Sequence, residues 1–140
     1  AEVPTLRGLE KSVSLKEAEE FLTELGSTKA MMIKAIHGGG GRGTGVVQSG
    51  DNLETIYQRC QSEAATAFGS EEVYVEEYLS NARHIEVQIV GDTHGAIRHL
   101  GERECSVQRR YQKIVEIDPA PRLADNIRQA LLSAAVLAYE

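Results

Sequence analysis

Five of the thirteen glycines in this 140-residue sequence fall between Gly38 and Gly43, in the run Lys34-Ala35-Ile36-His37-Gly38-Gly39-Gly40-Gly41-Arg42-Gly43. Consecutive glycines lose much backbone entropy on ordering, so a chain that keeps them together needs positive φ or close backbone approach. Their bare N–H groups can cradle phosphate oxygens, and Lys34 and Arg42 bring positive charge to the same place. The plain alternative is a floppy hairpin loop, which rarely needs so many glycines. Gly38-x-Gly40-x-x-Gly43 has the spacing of a dinucleotide fingerprint, but that motif opens a helix. Here Thr44-Gly45-Val46-Val47 continues as extended chain. A P-loop needs Lys and Ser/Thr after its last glycine, and Thr44 follows Gly43 with no lysine between. What remains is strand, glycine hairpin and strand with the lysine before the loop, a flexible flap over a nucleotide.

Three further segments could carry chemistry. Val75-Glu76-Glu77-Tyr78-Leu79 is either a strand end with a solvated acidic pair or a hinge whose backbone and Glu76 bond an adenine edge. His84 and Glu86 share one face of a strand and Ile85, Val87 and Ile89 take the other. A metal site would want further ligands converging there. Arg98, Arg103, Arg109, Arg110 and Lys113 make a basic stretch, which serves either as a soluble sheet edge or as a pocket for phosphates or a small oxyanion. Uninterrupted strand alternation would group Gln108, Arg110 and Gln112 on one face and Arg109, Tyr111 and Lys113 on the other.

The elements that must position these residues are marked by their caps and periods. Ala1–Thr5 reads as an entering linker. Ser14-Leu15-Lys16-Glu17 has the form of a capping box, followed by Ala18, Phe21, Leu22 and Leu25 at helical spacing and Gly26 where a left-handed C-cap belongs. Ala30 to Ile36 reads as a strand and Val46-Val47-Gln48 as a second, short one. Asp51-Asn52-Leu53-Glu54 predicts another capping box, for a helix whose Leu53, Ile56, Tyr57, Cys60, Ala64 and Phe68 share a face. Val73-Tyr74-Val75 and His84 to Ile89 read as strands, Gly91-Asp92-Thr93-His94-Gly95 as a hairpin turn, and Ala96–Leu100 and Tyr111–Ile117 as further strands. Leu123 to Glu140 returns to helix, with an apolar face of Ile127, Leu131, Ala134 and Val136–Leu137. Helices mixed with hairpin-linked strands make the class α+β.

The length fits one domain with a real core, and the net charge of −6 argues against a broad nucleic-acid surface. No apolar run approaches the roughly 18 residues that cross a bilayer, and the amino end shows no charged-then-apolar leader. Cys60 and Cys105 sit inside periodic segments without metal-ligand spacing, as reduced core thiols do in the cytoplasm or the mitochondrial matrix.

Taken together, Lys34-Ala35 with Gly38-Gly39-Gly40-Gly41-Arg42-Gly43 resembles the ATP lid of biotin carboxylases. Glu76-Glu77-Tyr78-Leu79 with Asn81-Ala82-Arg83-His84-Ile85-Glu86-Val87-Gln88 looks like the next stretch of the same enzymes. Glu102-Arg103-Glu104-Cys105-Ser106-Val107-Gln108-Arg109-Arg110 with Gln112-Lys113 is similar to a third. Order and spacing agree across nearly the whole chain.

The resemblance implies an ATP-grasp fold, in which nucleotide lies between two α+β halves. Residues 1–78 would be the lid subdomain, with mixed or antiparallel strands and flanking helices, and residues 79–140 the truncated beginning of the C-terminal half. By the same resemblance Lys34 reaches the α- and β-phosphates, and Gly40 and Gly41 cover the phosphate chain. Glu76 and Leu79 hold the adenine, His84 the ribose side, and Gln108 another edge of the nucleotide. Lys113 binds bicarbonate beside Gln112. Tyr111 stands where the family pattern has His, at a nucleotide contact, and Glu77 where many members carry a basic residue. The implied cofactors are ATP and magnesium, whose ligands are expected outside this chain, with biotin as carboxyl acceptor. Bicarbonate, a biotin carboxyl carrier domain and the rest of a biotin carboxylase are the implied partners, and neither nucleic acid nor membrane is. The chain alone is expected to be inactive. A carbamoyl-phosphate synthetase half and a non-catalytic nucleotide-binding module stay as alternatives.

Overall fold

The computed structural model describes residues 3–27 and 29–139. The expected linker at Ala1–Thr5 and the expected helix end at Glu140 lie partly outside the described residues. Leu6–Asn81 makes one compact unit, and residues 82–139 with residues 3–5 make a second. Both are α+β, as the mixture of capped helices and hairpins predicts. Among the described residues no helix is long and apolar enough to cross a membrane.

The first unit runs β1 (Gly8–Leu9), α1 (Leu15–Leu25), β2 (Ala30–Ala35), β3 (Thr44–Val47), α2 (Leu53–Phe68) and β4 (Val73–Tyr78). Its four strands form one antiparallel sheet in the order β1-β4-β2-β3. β1 has no counterpart in the sequence reading, because two residues carry no period. Side chains of β2 and β4 alternate in direction, although Met32 is buried as well as its neighbours. Met31, Ile33 and Ala35 with Val73 and Val75 are buried, packed with Phe21 of α1 and Cys60 of α2. The register Met32↔Glu76 and Lys34↔Tyr74 gathers the other set, Met32, Lys34, Tyr74 and Glu76, on the opposite face.

Local capping departs from expectation in two places. At α1 the box forms: Ser14 Oγ accepts from the Glu17 N–H at 3.3 Å and Glu17 accepts from the Ser14 N–H at 2.8 Å. Lys11 adds a third bond, and first through it, then through the Ser14 donors, the Glu17 carboxyl falls to about 2. Gly26 has positive φ but extended ψ, at 90° and 159°, so it leaves the helix without a left-handed cap. At α2 the cap is Asn52, one residue later than predicted. Asp51 spends its carboxylate on the Gln48 N–H at 2.8 Å, closing the turn after β3, and Asn52 Oδ1 accepts from the Thr55 N–H at 2.9 Å. The shift removes Glu54 from the position a capping box requires.

The second unit contains β5 (Ile85–Gly91), β6 (Ile97–Arg109), β7 (Gln112–Ile117) and α3 (Asp125–Leu137), its strands antiparallel in the order β5-β6-β7. The predicted turn at Gly91–Gly95 forms, with Asp92 Oδ1 accepting from the N–H groups of His94 and Ala96. β6 is far longer than Ala96–Leu100. It bulges at Leu100-Gly101, opposite Gln88, where Gly101 takes φ 101°. α3 starts two residues after Leu123, without a side-chain cap. Its buried residue is Leu132, while Ile127 and Leu137 of the expected face are exposed. The helix is fixed instead by a partly buried ion pair, Arg128 Nε to Glu102 Oε1 at 2.8 Å, and by Arg128 donating to the Ala120 carbonyl at 3.2 Å.

α2 approaches β3 closely enough that Gly45 leaves no room for a side chain: a Cβ there would meet Cys60 Sγ and Ile56 Cγ2, each at 2.8 Å. Gly45→Ala is expected to destabilise the first unit by about 1–3 kcal/mol, the usual range for overpacking, read from the urea midpoint of the purified chain. A midpoint unchanged from wild type would show that α2 does not seat on β3 as described.

Candidate functional site

In the first unit two of the candidate residues, Lys34 and Glu76, share one sheet face. β2 delivers Lys34 and β4 delivers Glu76, and their charged ends form an ion pair, half-shielded by the neighbouring strands. β4 runs on through Glu76, Glu77 and Tyr78, so the supposed hinge is the last half of a strand, and Leu79 follows it exposed. Glu77 points the other way and takes Lys29 at 2.7 Å. A cavity of about 540 Å³ opens beside this strand end, lined by Lys29, Gln48, Glu77 and Leu79 among others; Lys34 and Glu76 are not in its wall.

The glycine run joins β2 to β3, as the hairpin reading requires. Gly40, Gly41 and Gly43 all have positive φ, from 63° to 78°. The loop is anchored at its base. Ala35 N–H donates to Gly43 O at 2.9 Å, Gly38 N–H to Ala35 O at 3.2 Å, and Gly43 N–H to the Glu63 carboxylate of α2 at 3.2 Å. A Cβ on Gly43 would lie 2.9 Å from that of Ala35, whereas one on Gly39 or Gly40 would meet nothing within 4 Å. Glycine at the root serves close packing, while at Gly39 and Gly40 the place a side chain would take is open space.

In the second unit one sheet face carries a charged cluster. Glu86 of β5 accepts from Lys113 of β7 and from Arg103 of β6, the latter at 2.6 Å, and His84 Nε2 stands 3.7 Å from the same carboxylate. The Lys113 bond first, then that from Arg103, holds the Glu86 carboxyl below its ordinary range, and Glu86 raises Lys113 in return. Gln108 Nε2 lies 2.7 Å from His84 Nδ1. His84, Gln108 and Lys113 are therefore brought together. Glu86 and Arg103, which join them, were not singled out from the sequence as partners, although the His84–Glu86 alternation did place those two on one face.

Tyr111 and Gln112 fall elsewhere than strand alternation predicts. Arg110 and Tyr111 are the two central residues of the β6–β7 hairpin, with φ of 50° and 62°, the backbone of a type I′ turn. Arg109 then faces Gln112, and Gln108 faces Lys113. The turn breaks the single-strand parity, so Gln108 and Lys113 share a face while Gln112 alternates away from Lys113. Between Gln108↔Lys113 and Val107↔Val115 the register leaves Ile114 unpaired, a bulge that aims Lys113 and Glu116 to the same side. Arg103 reaches Glu116 at 3.2 Å. Ligand atoms of Glu86, Cys105 and Glu116 lie within 4.8 Å of one another. Magnesium prefers an all-oxygen shell, so a buried thiol, pushed above its usual range by burial, beside carboxylates already bonded to cations does not fit it. Cys60 is likewise a free, buried thiol, raised by burial to about 11.

Two tests follow. Because the folded Glu86 value is depressed, its contribution to stability is present above the ordinary glutamate range and is lost as pH falls through the lower folded value. A carbon-detected NMR titration should therefore place the Glu86 midpoint below about 4.3, with Lys113→Gln raising it; equal midpoints in both proteins would remove the pair. Non-glycine residues at positive φ are strained, so Arg110→Asn should raise stability by about 0.5–1 kcal/mol through better type I′ chemistry. A lower thermal midpoint in that variant would mean the turn has another geometry.

The carbamoyl-phosphate synthase L chain, ATP binding domain family matches residues 1–140. Pyruvate carboxylase of Staphylococcus aureus is 45% identical over 141 residues, covering 100% of this chain and 12% of that protein. A crystal structure of biotin carboxylase from Campylobacter jejuni in a β,γ-ATP complex matches with a TM-score of 0.89 and 42% identity over 97% of this chain and 30% of that one. The biotin carboxylase domain dimer of Hydrogenobacter thermophilus 2-oxoglutarate carboxylase, solved with MgADP, ADP and bicarbonate, matches with a TM-score of 0.87 and 39% identity, again over 97% and 30%. The chain thus spans 12% of the first relative's length and 30% of the other two. It belongs to the family of the carbamoyl-phosphate synthase L chain, ATP binding domain.

Proposed function

We propose that this chain binds ATP as part of a biotin carboxylase, a ligase that uses ATP and bicarbonate to carboxylate biotin on a carrier domain. The observation that carries this is the placement of Lys34 on an open sheet face, paired with Glu76 and followed by an anchored glycine hairpin with open space beside Gly39 and Gly40. Leu6–Asn81 corresponds in this reading to the lid subdomain and the second unit to the beginning of the C-terminal half. The carbamoyl-phosphate reading draws on the family's description, but Ser106-Val107-Gln108-Arg109-Arg110 with Gln112-Lys113 favours the biotin enzyme.

The roles follow residue by residue. Lys34 exchanges Glu76 for the α- and β-phosphates, and the Gly40 and Gly41 N–H groups cover the phosphate chain. Leu79 and the adjoining backbone hold the adenine with Glu76. His84 takes the ribose side and Gln108 another edge of the nucleotide, with Tyr111 at the neighbouring turn. Lys113 holds bicarbonate; Gln112 is less suited to share that task because it lies on the alternate face. An oxygen of bicarbonate attacks the γ-phosphorus, ADP leaves, and carboxyphosphate forms. Carboxyphosphate then splits into CO₂ and phosphate, and the CO₂ takes the place of the proton on a ureido nitrogen of biotin, that proton passing to the phosphate. Fixed cations and N–H dipoles suit this step, since phosphoryl transfer is catalysed mainly by positioning and charge neutralisation. Magnesium, when bound, would supply neutralisation of the phosphate charge, and among the described residues no set of ligands fits it. The buried free thiols agree with a cytoplasmic or mitochondrial-matrix setting.

ATP titrated into the isotope-labelled chain should shift the amide signals of Lys34 and Gly39–Gly43. Lys34→Gln should weaken binding by about 1.5–3 kcal/mol, the range for a hydrogen bond to a charged group, with the amide spectrum otherwise retained. Unchanged affinity in a folded variant would remove Lys34 from the site.

A further inference from the structure

Gln108 carries an amide whose two ends are not interchangeable. Its Nε2 lies 2.9 Å from the Cys105 carbonyl oxygen and 2.7 Å from His84 Nδ1. A backbone carbonyl only accepts, so the amide atom facing it is the nitrogen; turned over, the amide would set two oxygens against each other. That nitrogen has two hydrogens. One serves Cys105, and the other points at His84 Nδ1, which can receive it only as a bare lone pair. The proton of the neutral ring is left to Nε2, and on that side stands the Glu86 carboxylate at 3.7 Å, whose negative field favours a proton there.

The backbone of His84 is fixed as firmly as its ring. Cys105 N–H donates to His84 O at 2.8 Å, and His84 N–H donates to Ser106 Oγ at 2.9 Å. Ser106 donates in turn to Glu104 at 2.8 Å, and Arg83 grips Glu104 through two nitrogens. Arg83 also donates to the carbonyls of Pro121 and Arg122. The ring cannot swing to exchange Nδ1 for a carbon without breaking the Gln108 bond.

We infer that Gln108 is a positioning residue that locks His84 in the Nε2–H tautomer, so that His84 offers a ligand a hydrogen-bond donor and not a lone pair. The lock stands on the geometry alone. Only the identity of the ligand rests on the nucleotide reading: a hydroxyl or phosphate oxygen suits such a donor, and an N–H group does not.

The test uses the chain labelled with nitrogen-15 at histidine, in long-range proton–nitrogen spectra at about pH 8, above the ordinary histidine range. His84→Gln identifies the His84 signals among the four histidines. Wild type should show a pyridine-like Nδ1 and a pyrrole-like Nε2 with no averaging. Gln108→Ala should give the averaged pair of a ring free to exchange tautomers, and Gln108→Glu, whose carboxylate accepts, should move the proton toward Nδ1. A proton on Nδ1 in wild type overturns the inference without any variant, and so does a His84 spectrum identical in wild type and Gln108→Ala. ADP added to the same sample keeps the two readings apart. A locked tautomer that ADP leaves untouched supports the lock and counts against nucleotide binding at His84, whereas an averaged ring that nonetheless responds to ADP overturns the lock alone.

Discussion

Met31, Ile33 and Ala35 of β2 are sealed beneath two helices, and the residues between them have nowhere to go but the other side of the sheet. That period-two constraint governs the first unit. Moving β2 by one residue would bury Lys34 and expose the core residues, so register is enforced by the whole of the apolar packing. Burying several methionine, isoleucine and valine side chains, at about 1.5–3 kcal/mol each, far outweighs any single polar contact on the open face. The position of Lys34 is thus set by buried residues on the opposite face of the sheet. The Lys34–Glu76 pair can then be opened by a competing anion at small cost, because a partly exposed ion pair contributes little to stability.

The second unit is organised by charge where the first is organised by apolar packing. Glu86 has Lys113, Arg103 and His84 around it, and the buried Glu102 has Arg128, which is partly exposed. Removing one member of such a pair leaves the other unbalanced, so these ions constrain one another's positions. β6 supplies Arg103, Cys105 and Gln108, and Arg103 of β6 meets Lys113 of β7 at the same Glu86 carboxylate.

Element types were legible in the sequence wherever caps and periods agreed. The Ser14–Glu17 box, the helical spacing from Leu53 and the Gly91–Gly95 turn all form. What could not be read needed a partner strand or a competing bond. Asp51 lost the cap because Gln48 claimed its carboxylate. Arg110-Tyr111 has no composition of a tight turn, so the long β6 and the reversal at residues 110–111 stayed hidden, and with them the parity of Gln112 and Lys113. The candidate residues were found through motifs, while their pairings, Lys34 with Glu76 and Lys113 with Glu86, depend on cross-strand register.

The glycine loop is fastened at Gly38 by the Ala35 carbonyl and at Gly43 by Glu63 and Ala35. Four residues lie between these fastenings, and consecutive Cα atoms are about 3.8 Å apart. Half of that tether limits how far the tip can rise from its root, to on the order of 9 Å. That radius is the span of a few phosphate groups, so under the proposed function the recognition of a base or a sugar falls to side chains on the strands.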